Sequence, residues 1–305
     1  MLLLMLAACG QYLEADELVS ECDQIEAEVS LASREDLETA TTLGHYGLTG
    51  LMQAHTYDEQ WAEGTVRSVD YSAMLGVPDA GQTLADTLAN LAAVDPLALE
   101  GEAEAFAFWM NLYNAWVLQA SLNQIAQDAS WGGASASTWD GADTGTPWVM
   151  FVTRFVSVGG VQLTLNEVEH GVMRGDIFPE DYADQPDTLA LLQAWHAALW
   201  EDGVPDARLH MGINCASRSC PDLPNRAFTA DNVYDLLDEN AARFLAHPGK
   251  GAGSAGVSTL FNWFSGDFTA SFGSTQAFVQ QYREGGDSDV NYDAFLEYSW
   301  ELNGR

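Results

Sequence analysis

The sequence predicts an α+β protein: a helix-rich single domain with a small antiparallel sheet. Helical spacing of apolar residues dominates, first as Leu84, Leu88, Leu91 and Ala92, then as Phe106, Trp109, Met110, Tyr113, Trp116, Val117 and Ala120. Strand signals are few and short, the clearest being residues 148–158 and 161–163 around the Gly159-Gly160 turn. A chain of 305 residues, 47% hydrophobic and 18% charged, has the composition of a globular protein that can bury a sizeable core.

Taken in order, residues 10–40 are acidic and helix-prone, with Ser33 and Asp36 placed to start a helix. Helices follow over 83–100 and 102–125, the second interrupted by Asn111 and Asn114. Asparagine is a poor residue inside so apolar a helix, so each needs a partner, either a loop backbone or, for Asn114, a catalytic group to orient. Residues 128–147 read as a long Gly/Ser/Asp-rich loop. After the hairpin, Thr164 and Glu167 form a capping-box pattern, with His170 and Arg174 one and two turns on. Further helices are expected over 189–201 and 232–245, an aromatic strand or turn over 260–264, and a docked aromatic tail over 298–303.

The densest reactive chemistry lies in residues 206–221. Residues 207–213 alternate as a short strand that delivers Cys215 into a bend carrying Asn214, Ala216, Ser217, Arg218, Ser219 and Cys220. Such a bend presents a nucleophile to solvent, with backbone N–H groups available to an oxyanion. The plainer alternative is a Cys215–Cys220 disulfide stapling the loop. Cys215, Cys220 and His210 supply at most three metal ligands, and the chain offers no second cysteine pair, so neither a metal nor a cofactor is expected. HExxH, GxSxG and phosphate-loop patterns are absent.

Charge narrows the partners. Eleven basic against forty-five acidic residues leave a net charge of −34, which repels nucleic acids and anionic lipid. At the N-terminus, Leu6-Ala7-Ala8-Cys9 matches a lipoprotein signal in which Cys9 is lipidated, although the apolar run is short and carries no basic residue. It implies a bacterial cell-envelope lipoprotein, facing the periplasm or on the outer membrane and held by lipid alone. The expected division is 1–9 as signal remnant, 10–64 as an acidic helical extension and 65–305 as the main domain. Cys22 reads as incidental or as a partner for the 215–220 bend.

Three stretches in one order carry a resemblance: Phe108-Trp-Met-Asn-Leu-Tyr-Asn114, Leu165-Asn-Glu-Val-Glu-His170-Gly-Val-Met-Arg174 and residues 208–221. Together with Phe261-Asn-Trp-Phe-Ser-Gly-Asp-Phe268 and the tail at 298–303, they resemble the family named domain of unknown function 547. Ala216 stands where that family commonly has glycine, which would make a left-handed bend more costly. The resemblance implies a papain-like cysteine-hydrolase fold in permuted chain order. The expected activity is cysteine-dependent hydrolysis or acyl transfer on a peptide-like or small thiol-peptide substrate; the alternative is a non-catalytic envelope binding module with the disulfide formed. In the catalytic reading Cys215 is the nucleophile, His170 its base with Glu167 or Glu169 orienting it, and His210 the competing base. Asn114 is a further orienting candidate, and Arg218, Asn214 and Cys220 stand near the substrate.

Overall fold

The computed structural model describes residues 34–129, 131 and 149–305. Cys9, Cys22, Ser33 and nearly all of the 128–147 loop lie outside them. The described chain is helix-rich with three two-stranded antiparallel sheets, in agreement with the α+β expectation. Helix α1 (Arg34–His55) leads into hairpin β1–β2 (Thr56–Trp61, Gly64–Val69), then α2 (Tyr71–Gly76) and α3 (Pro78–Ala92). Leu48, Leu51 and Met52 of α1 share one core with α3 and the rest of the domain, so the division expected at residue 64 falls at the β1–β2 turn, inside a single packed body.

Helix α4 (Glu102–Gln127) is the central rod. Residues Ala105–Leu118 are buried on every face, a fully enclosed helix rather than an amphipathic one. Its two asparagines therefore cannot face water. Asn111 brackets the Phe228 backbone, donating to its carbonyl and accepting from its N–H at 2.7 and 2.9 Å. Asn114 does the same for the cysteine loop, donating to Gly212 O and accepting from Asn214 N, both at 2.9 Å. Each ties down a loop backbone.

The Gly159-Gly160 hairpin forms as β3–β4 (Val156–Val158, Val161–Leu163), but its first strand is shorter than the expected 148–158, because Val149–Val152 winds into a helical turn instead. Next, Thr164 and Glu167 satisfy each other's backbone N–H groups, the expected capping box. It opens α5 (Glu167–Met173), a helical segment wound wide, with Arg174 N bonded to Glu169 O five residues back. Wide turns of this kind gather at functional sites. Helix α6 (Pro186–Leu199) packs across it.

Residues 207–213 are not a strand. They hold a single turn, α7 (Leu209–Gly212), closed by its own backbone bonds such as Met211 N to Arg208 O at 2.8 Å. All four of its residues are buried, and among the described residues no strand lies beside them to pair a ladder. The alternation misled because His210 is itself buried and turned to the half-buried Asp267 carboxylate rather than held in a sheet. Gly212 is required by packing: a Cβ there would strike Met110, Leu237 and Phe228. Helix α8 (Val233–Ala246) and the small hairpin β5–β6 (Ala252–Gly253, Gly256–Val257) lead to α9 (Leu260–Trp263), α10 (Ser265–Phe272) and α11 (Thr275–Tyr282). Of the strand or turn expected over 260–264 the chain forms the turn, α9 followed by Phe264, with Phe261 packed on Phe268 and Phe278.

The C-terminal strap returns to the loop after α7. Arg218 N donates to Glu301 O at 2.7 Å, Asn303 N to Ala216 O at 2.9 Å, and Asn303 Nδ2 to Asn214 Oδ1 at 2.9 Å. Asp222, just past Cys220, is gripped by Lys250 at 2.6 Å, by Arg243 at 2.7 Å and by the Arg67 N–H at 2.7 Å. Held from both sides, Ala216 takes φ +58°, the left-handed conformation in which no other non-glycine residue is found among the described residues. The cost foreseen for alanine at this bend is therefore real.

Asn114→Ala leaves Gly212 O and Asn214 N buried without partners and should cost about 2–4 kcal/mol in urea unfolding. Ala216→Gly should change stability by no more than about 1 kcal/mol, because relieved strain offsets added unfolded-chain freedom. Ala216→Val, with a β-branched side chain forced into the same bend, should lose more than about 2 kcal/mol.

Candidate active site

One cavity of about 320 Å³ collects most of the reactive side chains. α5 contributes Glu169 and His170, α7 contributes His210, the following bend contributes Cys215 and Cys220, and the strap contributes Tyr298 and Trp300. The rest of the wall is mostly apolar, with Phe151, Ile213, Leu260, Trp263 and Phe264 beside Tyr113 and Asn166. Three stretches far apart in sequence, residues 169–170, 210–220 and 298–300, therefore meet around one thiol.

Cys215 is half-buried and Cys220 buried, and both are free thiols. The Cys215 sulfur lies 3.1 Å from the Tyr298 hydroxyl and 3.2 Å from the Ser217 hydroxyl, which are themselves 2.8 Å apart. The Cys215 N–H points at Cys220 Sγ, 3.1 Å away. Burial pushes the Cys215 thiol up, but hydrogen bonds from Cys220, Ser217 and Tyr298 outweigh it and bring the thiol below its ordinary value. Cys220 goes the other way, raised by burial and by the neighbouring sulfur. The two thiols are thus differentiated, with the half-buried one poised to ionise.

His210 is 2% exposed and its ring lies flat on Phe264, centroids 3.9 Å apart at 15°. Its Nε2 sits 2.8 Å from Asp267 Oδ2 of α10. The same carboxylate takes Arg174 Nε at 2.6 Å and Nη2 at 3.3 Å. Burial alone would raise Asp267, but the bonds from His210 and Arg174 hold it well below the usual carboxylate range. An ionised carboxylate only accepts, so Nε2 must carry the proton and Nδ1 is the basic nitrogen of the neutral ring. Burial also lowers His210 despite Asp267, keeping the imidazole neutral.

His170 shares the cavity but not this arrangement. Arg174 Nη1 lies 2.8 Å from His170 Nδ1, and no carboxylate hydrogen-bonds the His170 ring among the described residues. Glu167 is turned away, spent on the capping box and on Arg154 Nη2 at 2.5 Å. Glu169 faces the cavity and accepts from Tyr113 Oη at 2.9 Å. Among the described residues no hydrogen bond joins either histidine to Cys215 Sγ.

The other expected site residues fall in supporting positions. Asn214 is consumed by the loop, accepting from Ala216 N at 2.9 Å and donating to Pro221 O at 2.6 Å. Arg218 leaves the cavity, stacking over Trp61 at 4.1 Å and pairing with Glu301 at 3.1 Å. The bend supplies less oxyanion capacity than its sequence implied, because the Cys215 and Ala216 N–H groups are both taken. Asp267 and Tyr298 were the residues sequence reasoning passed over. Both lay in view, as the lone acid after an aromatic run and the first ring of the tail, but each looked like packing. Among the described residues no cluster of three His, Cys, Asp or Glu is placed to hold a metal, and no helix is long and apolar enough to cross a membrane.

A half-buried thiol, a carboxylate-held imidazole and a largely apolar cavity thus lie together in one domain. Residues 97–245, just under half of the chain, match the model of the family described as "Protein of unknown function, DUF547". Cys215, Cys220, His170, His210 and Asn114 fall within the match, whereas Asp267 and Tyr298 lie beyond it. Comparison with curated proteins and with solved structures gave no match.

Because Asp267 is depressed in the folded state, its stabilisation is complete above the ordinary aspartate value and is lost as pH falls through its folded one. Asp267→Asn should therefore lower the melting temperature at neutral pH. The gap to wild type should shrink as pH drops below about 4, which thermal unfolding across pH will read.

Proposed function

We propose that this domain is a cysteine-dependent hydrolase or acyltransferase acting on a peptide-like or small thiol-peptide substrate. The observation that carries the reading is the convergence of a thiol of lowered pKa and an Asp267-held His210 on one apolar cavity. His210 is the better base than His170: its carboxylate fixes the tautomer and stabilises the imidazolium that forms, whereas His170 faces a guanidinium.

In this reading the Cys215 proton passes to His210 Nδ1, relayed by one cavity water. The sulfur attacks the acyl carbonyl carbon, forming an S–C bond while the carbonyl electron pair moves onto oxygen. Collapse expels the amine or thiol leaving group, which takes the proton back from His210. Water or an acceptor nucleophile, deprotonated by the same nitrogen, then cleaves the thioester and restores the thiol. The apolar wall receives an uncharged or aromatic acyl group, and with Arg218 drawn away to Glu301 no Lys or Arg stands among the described residues that line the cavity. The proposal also keeps Cys9 as a lipidated residue holding the domain at the bacterial cell envelope, on the strength of Leu6-Ala7-Ala8-Cys9.

Turnover of a neutral aromatic thioester or peptide amide tests the roles. Cys215→Ala should abolish it, and His210→Ala should reduce kcat/KM by about 10²–10⁴. His170→Ala should cost less than about tenfold, since it removes no proton carrier. Activity that survives Cys215→Ala contradicts the reading.

A further inference from the structure

We propose that Tyr298 is a catalytic residue of this site, its hydroxyl donating first to the Cys215 thiolate and then to the oxyanion formed on the substrate. The inference rests on Cys215 being the nucleophile. Tyr298 reaches the sulfur from the C-terminal strap, eighty-three residues away in sequence, at 3.1 Å. Its position is fixed on both sides. Ser219 N bonds Ser299 O at 3.3 Å, Ser299 N bonds Ser219 Oγ at 2.8 Å, and the ring packs on Trp263 and Trp300. A ring needed only for packing would not require its hydroxyl aimed at both a thiol and the Ser217 hydroxyl.

The hydroxyl adds a donor to those the bend offers the Cys215 sulfur, namely the Ser217 N–H, the Ser217 hydroxyl and the Cys220 thiol. Oxyanion donors in thiol and serine enzymes are commonly backbone N–H groups, but here Cys215 N is spent on Cys220 and Ala216 N on Asn214. Burial and the neighbouring Cys215 raise the Tyr298 phenol far above its ordinary value, so it stays protonated and remains a donor at neutral pH. When the sulfur is anionic, both hydroxyls can turn to it. As the S–C bond forms and the charge moves to the carbonyl oxygen, the phenol hydrogen bond follows the charge, and no proton leaves the tyrosine.

The test is the pH dependence of Cys215 alkylation by iodoacetamide, read by peptide mass spectrometry on the full chain. Tyr298→Phe keeps the ring but removes a hydrogen bond to a charged group, and should slow alkylation about tenfold at pH values below the wild-type transition. A ring-fluorinated tyrosine at position 298 keeps the hydroxyl and its packing while making it a stronger donor, so the Cys215 transition should move to lower pH. That opposite sign separates donation from a structural role. A depressed wild-type transition that is unchanged in Tyr298→Phe, or that moves the same way in both variants, overturns this inference alone. A wild-type Cys215 that titrates as an ordinary free thiol overturns the proposed function and this inference with it.

Discussion

A chain of buried amides holds the site together. Asn114 of the central helix grips the backbone on both sides of Ile213, Asn214 grips Ala216 and Pro221, and Asn303 of the strap closes onto Asn214 while accepting from the Tyr71 hydroxyl at 2.8 Å. Each of these groups is nearly inaccessible to water, so each lost bond would leave a polar atom unsatisfied in a low-dielectric interior. That penalty keeps Ala216 in a left-handed bend that an alanine would not otherwise choose. The bend in turn sets the Cys215 sulfur beside Ser217 and Tyr298. The placement of the Cys215 sulfur therefore depends on amide geometry several residues away.

Electrostatics divide the labour between the acids around the cavity. Asp267 is committed to His210 and Arg174, and Glu167 to a helix cap and Arg154. Asp222 neutralises Lys250 and Arg243 beneath the loop. Buried ions must be paired in this way, since an isolated one would shift its pKa until neutral. With its cations satisfied internally and a net charge of −34 overall, the protein presents an apolar mouth within an acidic surface. Trp263, 45% exposed, stands at that mouth.

Much of the architecture was legible because it rests on local rules. Helical periodicity found α4, α6 and α8, the Gly-Gly turn found β3–β4, and the Thr164–Glu167 pattern found a real cap. Cys215 stood out through its dense polar setting. Failures came where tertiary contacts reverse a local reading. His210 looked like a polar position of an alternating strand, whereas Asp267, fifty-seven residues on, holds it in a helical turn. Glu167 looked suited to orient His170 by helical spacing, but its cap and Arg154 claim it. Tyr298 looked like a docking ring, because nothing in the tail's composition tells which atom its hydroxyl meets.

The central claim is that Cys215 becomes acylated in the cavity it shares with His210. Intact-mass analysis of the protein after brief exposure to a neutral aromatic thioester, followed by peptide mapping, reads that event directly. The account predicts one acyl group on Cys215, none on buried Cys220, released by hydroxylamine and formed far more slowly in His210→Ala. An unmodified Cys215 under conditions in which the thioester is turned over, or acylation equal in wild type and His210→Ala, would contradict it.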